Sequence, residues 1–434
     1  MLKIGDKKLI NAWAFYDWAN SVYSLVISTA VFPIYYSNLT ESFQSIEGKV
    51  TFLGTEWDPT TLYDYTMALS FLIVAFLSPI LSGIADYKGN KLGFLKTFCL
   101  IGSLSVMSLF FFEGESTLWV AILFTILASI GFWGSIVFYN AYLPEVAHPE
   151  NQDRVSAKGF INGYAGSILL LILCLVLIEM HETFGLEKGL ATRLSFILVG
   201  LWWLGFAQIT YKKLPNHKKE NKGEEKVFWK GLAELKLILK ELKHQPHLKV
   251  FLWSFFLFSI GVQTIILMAG IFGSKELELE TSELIAAILL VQFVAIGGAA
   301  IFSRLSKRHG NIMALKTTII IWAVVCLAAF FIEKGPNANY YFYGLGGLIG
   351  LVMGAIQSLS RSTYSKLLPE TEDHATYFSF YDVTEKIAIV VGMVTFGVLI
   401  SITGSMNYSV LCLAVFFIAS FVVLSFLEGN KYVK

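Results

Sequence analysis

Eleven long stretches of this sequence contain no Asp, Glu, Lys or Arg: residues 18–40, 65–85, 97–112, 116–144, 159–178, 194–211, 250–274, 284–303, 317–332, 335–360 and 387–427. A bilayer core takes roughly 20 apolar residues per helix. The last stretch is twice that length and is interrupted near its middle by Thr403, Gly404, Ser405 and Asn407. Read as two helices, it raises the number of spans to twelve. The stretches are continuous, whereas the strands of a transmembrane β-barrel alternate apolar and polar residues; helices also satisfy their own backbone groups in lipid. Only 15% of the residues are charged, against about 25% in soluble domains, which excludes a soluble enzyme. The expected fold class is an all-α membrane protein with twelve transmembrane helices in two six-helix pseudo-repeats.

Charge in the connecting segments sets the orientation. With both termini cytoplasmic, 27 Lys and Arg fall on the inner side, and only Lys49, Lys188, Arg193, Lys275 and Lys334 fall outside. The positive-inside rule selects that arrangement. The first apolar stretch is long, aromatic and close to Asp17, unlike a cleaved signal peptide, and is read as a retained first helix. Residues 1–211 are expected to form an N-terminal six-helix bundle and residues 250–434 a C-terminal one. Between them, residues 212–249 form a basic cytoplasmic linker with 11 Lys against 5 Glu. Phe228, Leu232, Leu235, Leu239 and Leu242 recur there at steps of four and three, which predicts an amphipathic helix ending near Pro246. Such a helix could rest on anionic headgroups.

The halves echo each other. Gly89 Asn90, then Leu95 Lys96, follow the second span, and Gly310 Asn311, then Leu315 Lys316, follow the eighth. Leu143 Pro144 Glu145 follow the fourth span, and Leu368 Pro369 Glu370 follow the tenth. Parallel six-helix repeats are the layout of major facilitator transporters, whose substrate site lies near the bilayer midplane at the repeat interface.

Several segments resemble one branch of that superfamily, the vacuole-effluxer-like family related to the autophagy-linked amino-acid effluxers of fungal vacuoles. They are Tyr16 Asp17 Trp18 Ala19 Asn20 Ser21 Val22 Tyr23 with Phe32 Pro33; Ser78 Pro79 with Gly83 Ile84 Ala85 Asp86 Tyr87 Lys88 Gly89 Asn90 Lys91; Tyr139 Asn140 Ala141 Tyr142 Leu143 Pro144 Glu145 with Val155 Ser156 Ala157 Lys158 Gly159 Phe160; and Gln357 Ser358 Leu359 Ser360 Arg361 Ser362 with Phe380 Tyr381 and Lys386. The resemblance implies the major facilitator fold and amino-acid efflux. Tyr87 and Asn90 stand where the wider superfamily carries basic residues.

An ionisable side chain inside a membrane is costly and normally faces a cavity or a partner. Asp17 is the first candidate, with Asn20, Ser21, Ser24 and Ser28 continuing its face at helical steps; its alternative role is a structural ion pair or cap. Asp382, Glu385 and Lys386 are the second, spaced so that the lysine can pair with both carboxylates. A carboxylate that lost its partner to a substrate would take up a proton more readily, a route to proton coupling; the alternative is a static charge network. Uncharged candidates for substrate or coupling-ion contact are Asn140, Gln263 and Gln357, with Trp133 as an aromatic wall. Asn162 and Gln292 add amides, whereas spans 3, 6, 9 and 12 are poor in them, as expected of lipid-facing outer helices. A cytoplasmic gate is expected from Asp86, Lys88, Lys91, Arg304, Arg308 and Arg361, with Lys307 beside them.

Cys99, Cys174, Cys326 and Cys412 lie in four different spans without metal-ligand spacing and read as packing residues. No phosphate-binding loop, zinc helix or nucleophile elbow occurs. The expectation is therefore a secondary transporter, not an enzyme, with no cofactor and no metal. Its partners would be a small-molecule substrate and membrane lipids but no nucleic acid, and it would work as a monomer in the cell membrane by alternating access. A lipid scramblase or flippase on the same scaffold, or a non-transporting membrane receptor, are the alternatives.

Overall fold

The computed structural model describes residues 2–216, 227–242 and 244–427. Among them are twelve helices long and apolar enough to cross a membrane. Numbered in chain order they are α1 (Lys7–Phe43), α2 (Pro59–Lys88), α3 (Lys91–Phe111), α4 (Glu115–Asn140), α5 (Pro149–Glu179), α6 (Lys188–Tyr211), α7 (Pro246–Lys275), α8 (Thr281–His309), α9 (Asn311–Phe330), α10 (Ala338–Leu367), α11 (His374–Thr403) and α12 (Met406–Ser425). The long final stretch does divide, because α11 stops on Gly404 in the left-handed conformation (φ 71°), which glycine adopts without steric cost. A small antiparallel hairpin, β1 (Val50–Phe52) and β2 (Thr55–Trp57), joins α1 to α2.

Helix ends follow local chemistry. The Asp58 side chain accepts the backbone N–H of Thr61 at the start of α2, with Pro59 in the first turn, where no N–H is needed. The repeated Gly-Asn pairs form corresponding turns: Gly89 (φ 62°) ends α2 and Gly310 (φ 86°) ends α8, each followed at once by the next helix.

Packing divides the chain into two compact units. Unit 1 is Met1–Tyr139 with Asn162–Glu224, and unit 2 is Asn140–Ile161 with Glu225–Lys434. Residues 140–161, which the sequence reading counts with the first half, thus group with the C-terminal helices. In unit 1, α6 packs on α1 and on α3; in unit 2, α12 packs on α7 and on α9, so the same pairings recur six helices later. Small residues permit these approaches. A Cβ on Gly163 of α5 would meet the Ser21 hydroxyl of α1, and one on Gly392 of α11 would meet the Thr264 hydroxyl of α7.

The linker contains a helix, Val227–Leu242. Among its described side chains Ile238 and Leu242 are buried, while Leu239 is 46% exposed. The side chains of Phe228, Leu232 and Leu235 lie outside the described residues.

Candidate functional site

In unit 1 the charge sits on α1. Asp17 is buried, and its Oδ2 accepts the Tyr139 hydroxyl at 2.8 Å. Tyr139 is itself held by Trp13, whose indole N–H donates to the Tyr139 carbonyl at 3.0 Å while the rings stack at 4.6 Å. One turn beyond Asp17, Asn20 is 1% exposed, and neither its amide nitrogen nor its amide oxygen has a hydrogen-bond partner among the described residues. A buried amide left so costs about 1–3 kcal/mol.

Immediately after Asn20 and Val22 the helix changes pitch, with Tyr23–Val31 wound as a π-helix. The local cause is in the sequence. Pro33 supplies no N–H and its ring crowds the preceding turn, and the Thr29 hydroxyl donates to the Ser24 carbonyl, five residues back, at 2.8 Å. Winding of this kind is rare and frequent at functional sites. It also alters the expected polar stripe: Ser24 is exposed and Ser28 half-buried, so they do not continue the Asp17 face with α-helical regularity. Trp133 on α4 is half-buried, edge-on to Phe71 at 6.1 Å.

In unit 2, Lys386 of α11 is 1% exposed and lies between two carboxylates, 3.1 Å from Asp382 and 3.6 Å from Glu385. Gln263 of α7 donates to Glu385 Oε1 at 2.7 Å. Asp382 is as enclosed as the lysine, at 4% side-chain exposure, whereas Glu385 reaches 16%. Gln357 lies half-buried on α10.

Asn140 and Arg361, expected in different roles, are brought together. Arg361 is buried; its Nη1 donates to Asn140 Oδ1 at 3.2 Å, its Nε to Ser156 Oγ at 2.9 Å and its Nη2 to the Ser156 carbonyl at 2.9 Å. The guanidinium lies 4.4 Å from the Phe160 ring centre, a cation–π distance, and Ser156 Oγ donates on to the Ser358 carbonyl at 2.8 Å. Asp86 and Lys91 are buried in unit 1 and Lys88 is exposed. Arg304, Lys307 and Arg308 are exposed on the last turns of α8.

A second polar centre in unit 2 escaped the sequence reading. Asp153, in the first turns of α5, accepts Ser306 Oγ at 2.7 Å, Asn311 Nδ2 at 2.8 Å and Lys366 Nζ at 2.9 Å. The donors come from the end of α8, the start of α9 and the end of α10. Lys366 also donates to Asn311 Oδ1 at 2.8 Å, so the network closes on itself, as buried polar groups require. Nearby, His374 Nδ1 lies 3.2 Å from Glu145. Burial, then the charge of Glu145, pushes the Tyr142 phenol well above its ordinary pKa, keeping it neutral. The one sequence signal for this centre was the repeated Gly-Asn turn, which singles out Asn311.

The sequence pattern of the family described as "Vacuole effluxer Atg22 like" matches residues 5–433. The MFS-type transporter YxiO of Bacillus subtilis strain 168 is 34% identical, over 96% of this chain and 94% of that protein. Autophagy-related protein 22-1 of Penicillium rubens is 24% identical, over 88% of this chain and 77% of its own length. Among solved structures, the proton:xylose symporter XylE aligns with a TM-score of 0.72 at 11% identity, covering 98% of this chain and 97% of that one. The major facilitator transporter FucP in its outward conformation aligns with a TM-score of 0.66 at 14% identity, covering 98% of each chain. These two show the fold that the sequence pattern predicts, a multi-pass major facilitator architecture, and the relatives are transporters rather than enzymes.

Proposed function

We propose that this chain, which belongs to the Atg22-like vacuole effluxer family of major facilitator transporters, exports a small polar solute, an amino acid, by alternating access. The observation that carries the reading is the Asp17–Asn20 pair on α1. A membrane-embedded amide with both polar atoms unpartnered is an open offer of one acceptor and two donors. A carboxylate one helical turn earlier provides for a cationic group. An α-ammonium offers Asp17 an ionic contact and an α-carboxylate accepts from the Asn20 amide, while a sugar supplies only hydroxyls.

The Asp382–Lys386–Glu385 group is the proposed coupling element, with the more accessible Glu385 taking up the proton. Gln263 holds it, and Gln357, Trp133 and Asn140 complete the proposed substrate-facing set. In this reading the protein is a monomer in the cell membrane with both termini cytoplasmic, and the helices before and after the basic linker move as two bundles. Cysteines introduced by Lys212→Cys and Asp58→Cys should accordingly react with impermeant maleimide from opposite faces of the membrane.

Thermal-shift screening of the purified protein against amino acids, dipeptides and sugars tests the substrate class. Stabilisation by one group of amino acids, lost in Asp17→Asn and in Asn20→Leu, is the expected result; stabilisation by sugars alone would displace the amino-acid reading.

A further inference from the structure

We propose that the β1–β2 hairpin is a membrane anchor, its tip at Leu53 and Gly54 seated among the headgroups and upper acyl chains of the lipid leaflet beside α2. The tip is built against local preference. Strands β1 and β2 pair in the register Val50 with Trp57, Thr51 with Glu56 and Phe52 with Thr55, which leaves a two-residue turn. Leu53 (φ 51°) and Gly54 (φ 77°) are both left-handed there. Such turns favour Asn-Gly or Asp-Gly; Leu53 has neither the freedom of glycine nor a polar atom to bond its own backbone. It is also 88% exposed, so packing within the protein does not offset the strain. A strained apolar residue kept at an exposed tip points to a contact outside the chain.

The hairpin has two faces. Thr51 and Glu56 stand on one, where Lys49 lies 3.7 Å from Glu56 and 3.0 Å from Glu47. Val50, Phe52 and Trp57 stand on the other. At its base this second face is covered, with Val50 2% exposed. Toward the tip it emerges: Phe52 is half-buried, and Leu53 follows it into the open. No charged residue occurs from Val50 to Thr55.

The neighbourhood of the hairpin identifies the occupant. The Trp57 ring is edge-on to Tyr65 of α2 at 5.9 Å. Tyr65 opens the row Tyr65, Leu69, Leu72 and Phe76, all exposed, at steps of four, three and four. On a membrane-spanning helix, such a row of exposed apolar side chains is the face turned to lipid. Trp and Tyr gather where that face meets the headgroups. The Trp57–Tyr65 pair therefore sets the hairpin at the level of the membrane surface, on the lipid side of α2. Its base is fixed there, because the Tyr36 hydroxyl of α1 donates to the Pro59 carbonyl at 3.1 Å and Asp58 caps α2. A two-residue tip is too small a surface for a stable protein partner, whereas a single apolar side chain suffices to enter a leaflet. This inference rests on the chain being a multi-pass membrane protein and not on the amino-acid reading.

The test uses the full-length protein, one copy per lipid nanodisc, with its four native cysteines replaced and a nitroxide on Thr55→Cys, an exposed position paired with Phe52. Power saturation measures collisions of the label with oxygen, which concentrates in lipid, and with a nickel chelate, which stays in water. The oxygen-to-nickel ratio should be high at position 55 and low for a label on Thr51→Cys, on the polar face. Leu53→Asn suits the left-handed turn and so keeps the hairpin, yet it should lower the ratio at position 55 roughly fivefold. An equal ratio in the parent and in Leu53→Asn, or a label at 55 as open to nickel as one at 51, would overturn the anchor. Protection of position 55 from both reagents would overturn it too, because protein and not lipid would then cover the tip. The readout needs no substrate, so failure of the amino-acid reading leaves the test intact.

Discussion

The two units bury charge in opposite ways. On α1 of unit 1, Asp17 accepts a neutral phenol and has beside it an amide with no partner. On α11 of unit 2, two carboxylates enclose one lysine and a glutamine braces the outer carboxylate. The first arrangement leaves polar capacity for a ligand; the second sets one lysine between two carboxylates. A site that must bind and release needs unmet hydrogen-bonding capacity, whereas a closed charge group adds specificity or titrates as a whole.

The largest expected effect in this comparison comes from Lys386→Met, which leaves two carboxylates buried without their cation. Loss of one partner from a buried pair costs roughly 3–5 kcal/mol, and the thermal unfolding midpoint in detergent should fall steeply. Adding Asp382→Asn should recover part of the loss; a single variant as stable as the parent would mean that the lysine does not hold the group together. Next in size is Asp17→Asn. It keeps a hydrogen bond to Tyr139 but removes the charge, so transport should drop more than about tenfold while the unfolding midpoint moves little. A large loss of stability with flux intact would make Asp17 a structural residue. Glu385→Gln should abolish the response of flux to an imposed pH gradient while leaving gradient-free exchange, measured in the same vesicles. The smallest effect belongs to Asn20→Leu. Replacing an unsatisfied buried amide by an apolar side chain of similar size should leave stability unchanged or raise it by about 1 kcal/mol while removing amino-acid stabilisation.

What the sequence made legible follows the range of the interaction. The spans could be read because lipid excludes charge along a continuous run of residues, and the split of residues 387–427 could be read because Gly404 marks it. Lys386 with its two carboxylates was visible for the same reason, since the partners are within one turn of each other. The π-wound turn was not, because the stripe Asp17, Asn20, Ser24 and Ser28 assumes α-helical steps that Pro33 and Thr29 together break. Nor was the pairing of Asn140 and Arg361, 221 positions apart, which no periodicity encodes. Asp153 looks like any acid in the first turn of a helix, where the helix dipole welcomes it, and Lys366 like any positive charge on the cytoplasmic side. Only the fold turns those two ordinary charges into one buried network. Of the residues expected at a gate, Arg304 and Arg308 are exposed on α8, as is Lys307 beside them.

The most direct measurement is counterflow. Proteoliposomes containing the purified protein are loaded with an unlabelled amino-acid mixture and diluted into trace radiolabelled amino acids. The account predicts transient accumulation of label that is lost in Asp17→Asn and in Asn20→Leu despite equal reconstitution. Label entering at the same rate in all three proteins, or in none while a labelled sugar accumulates, would contradict it.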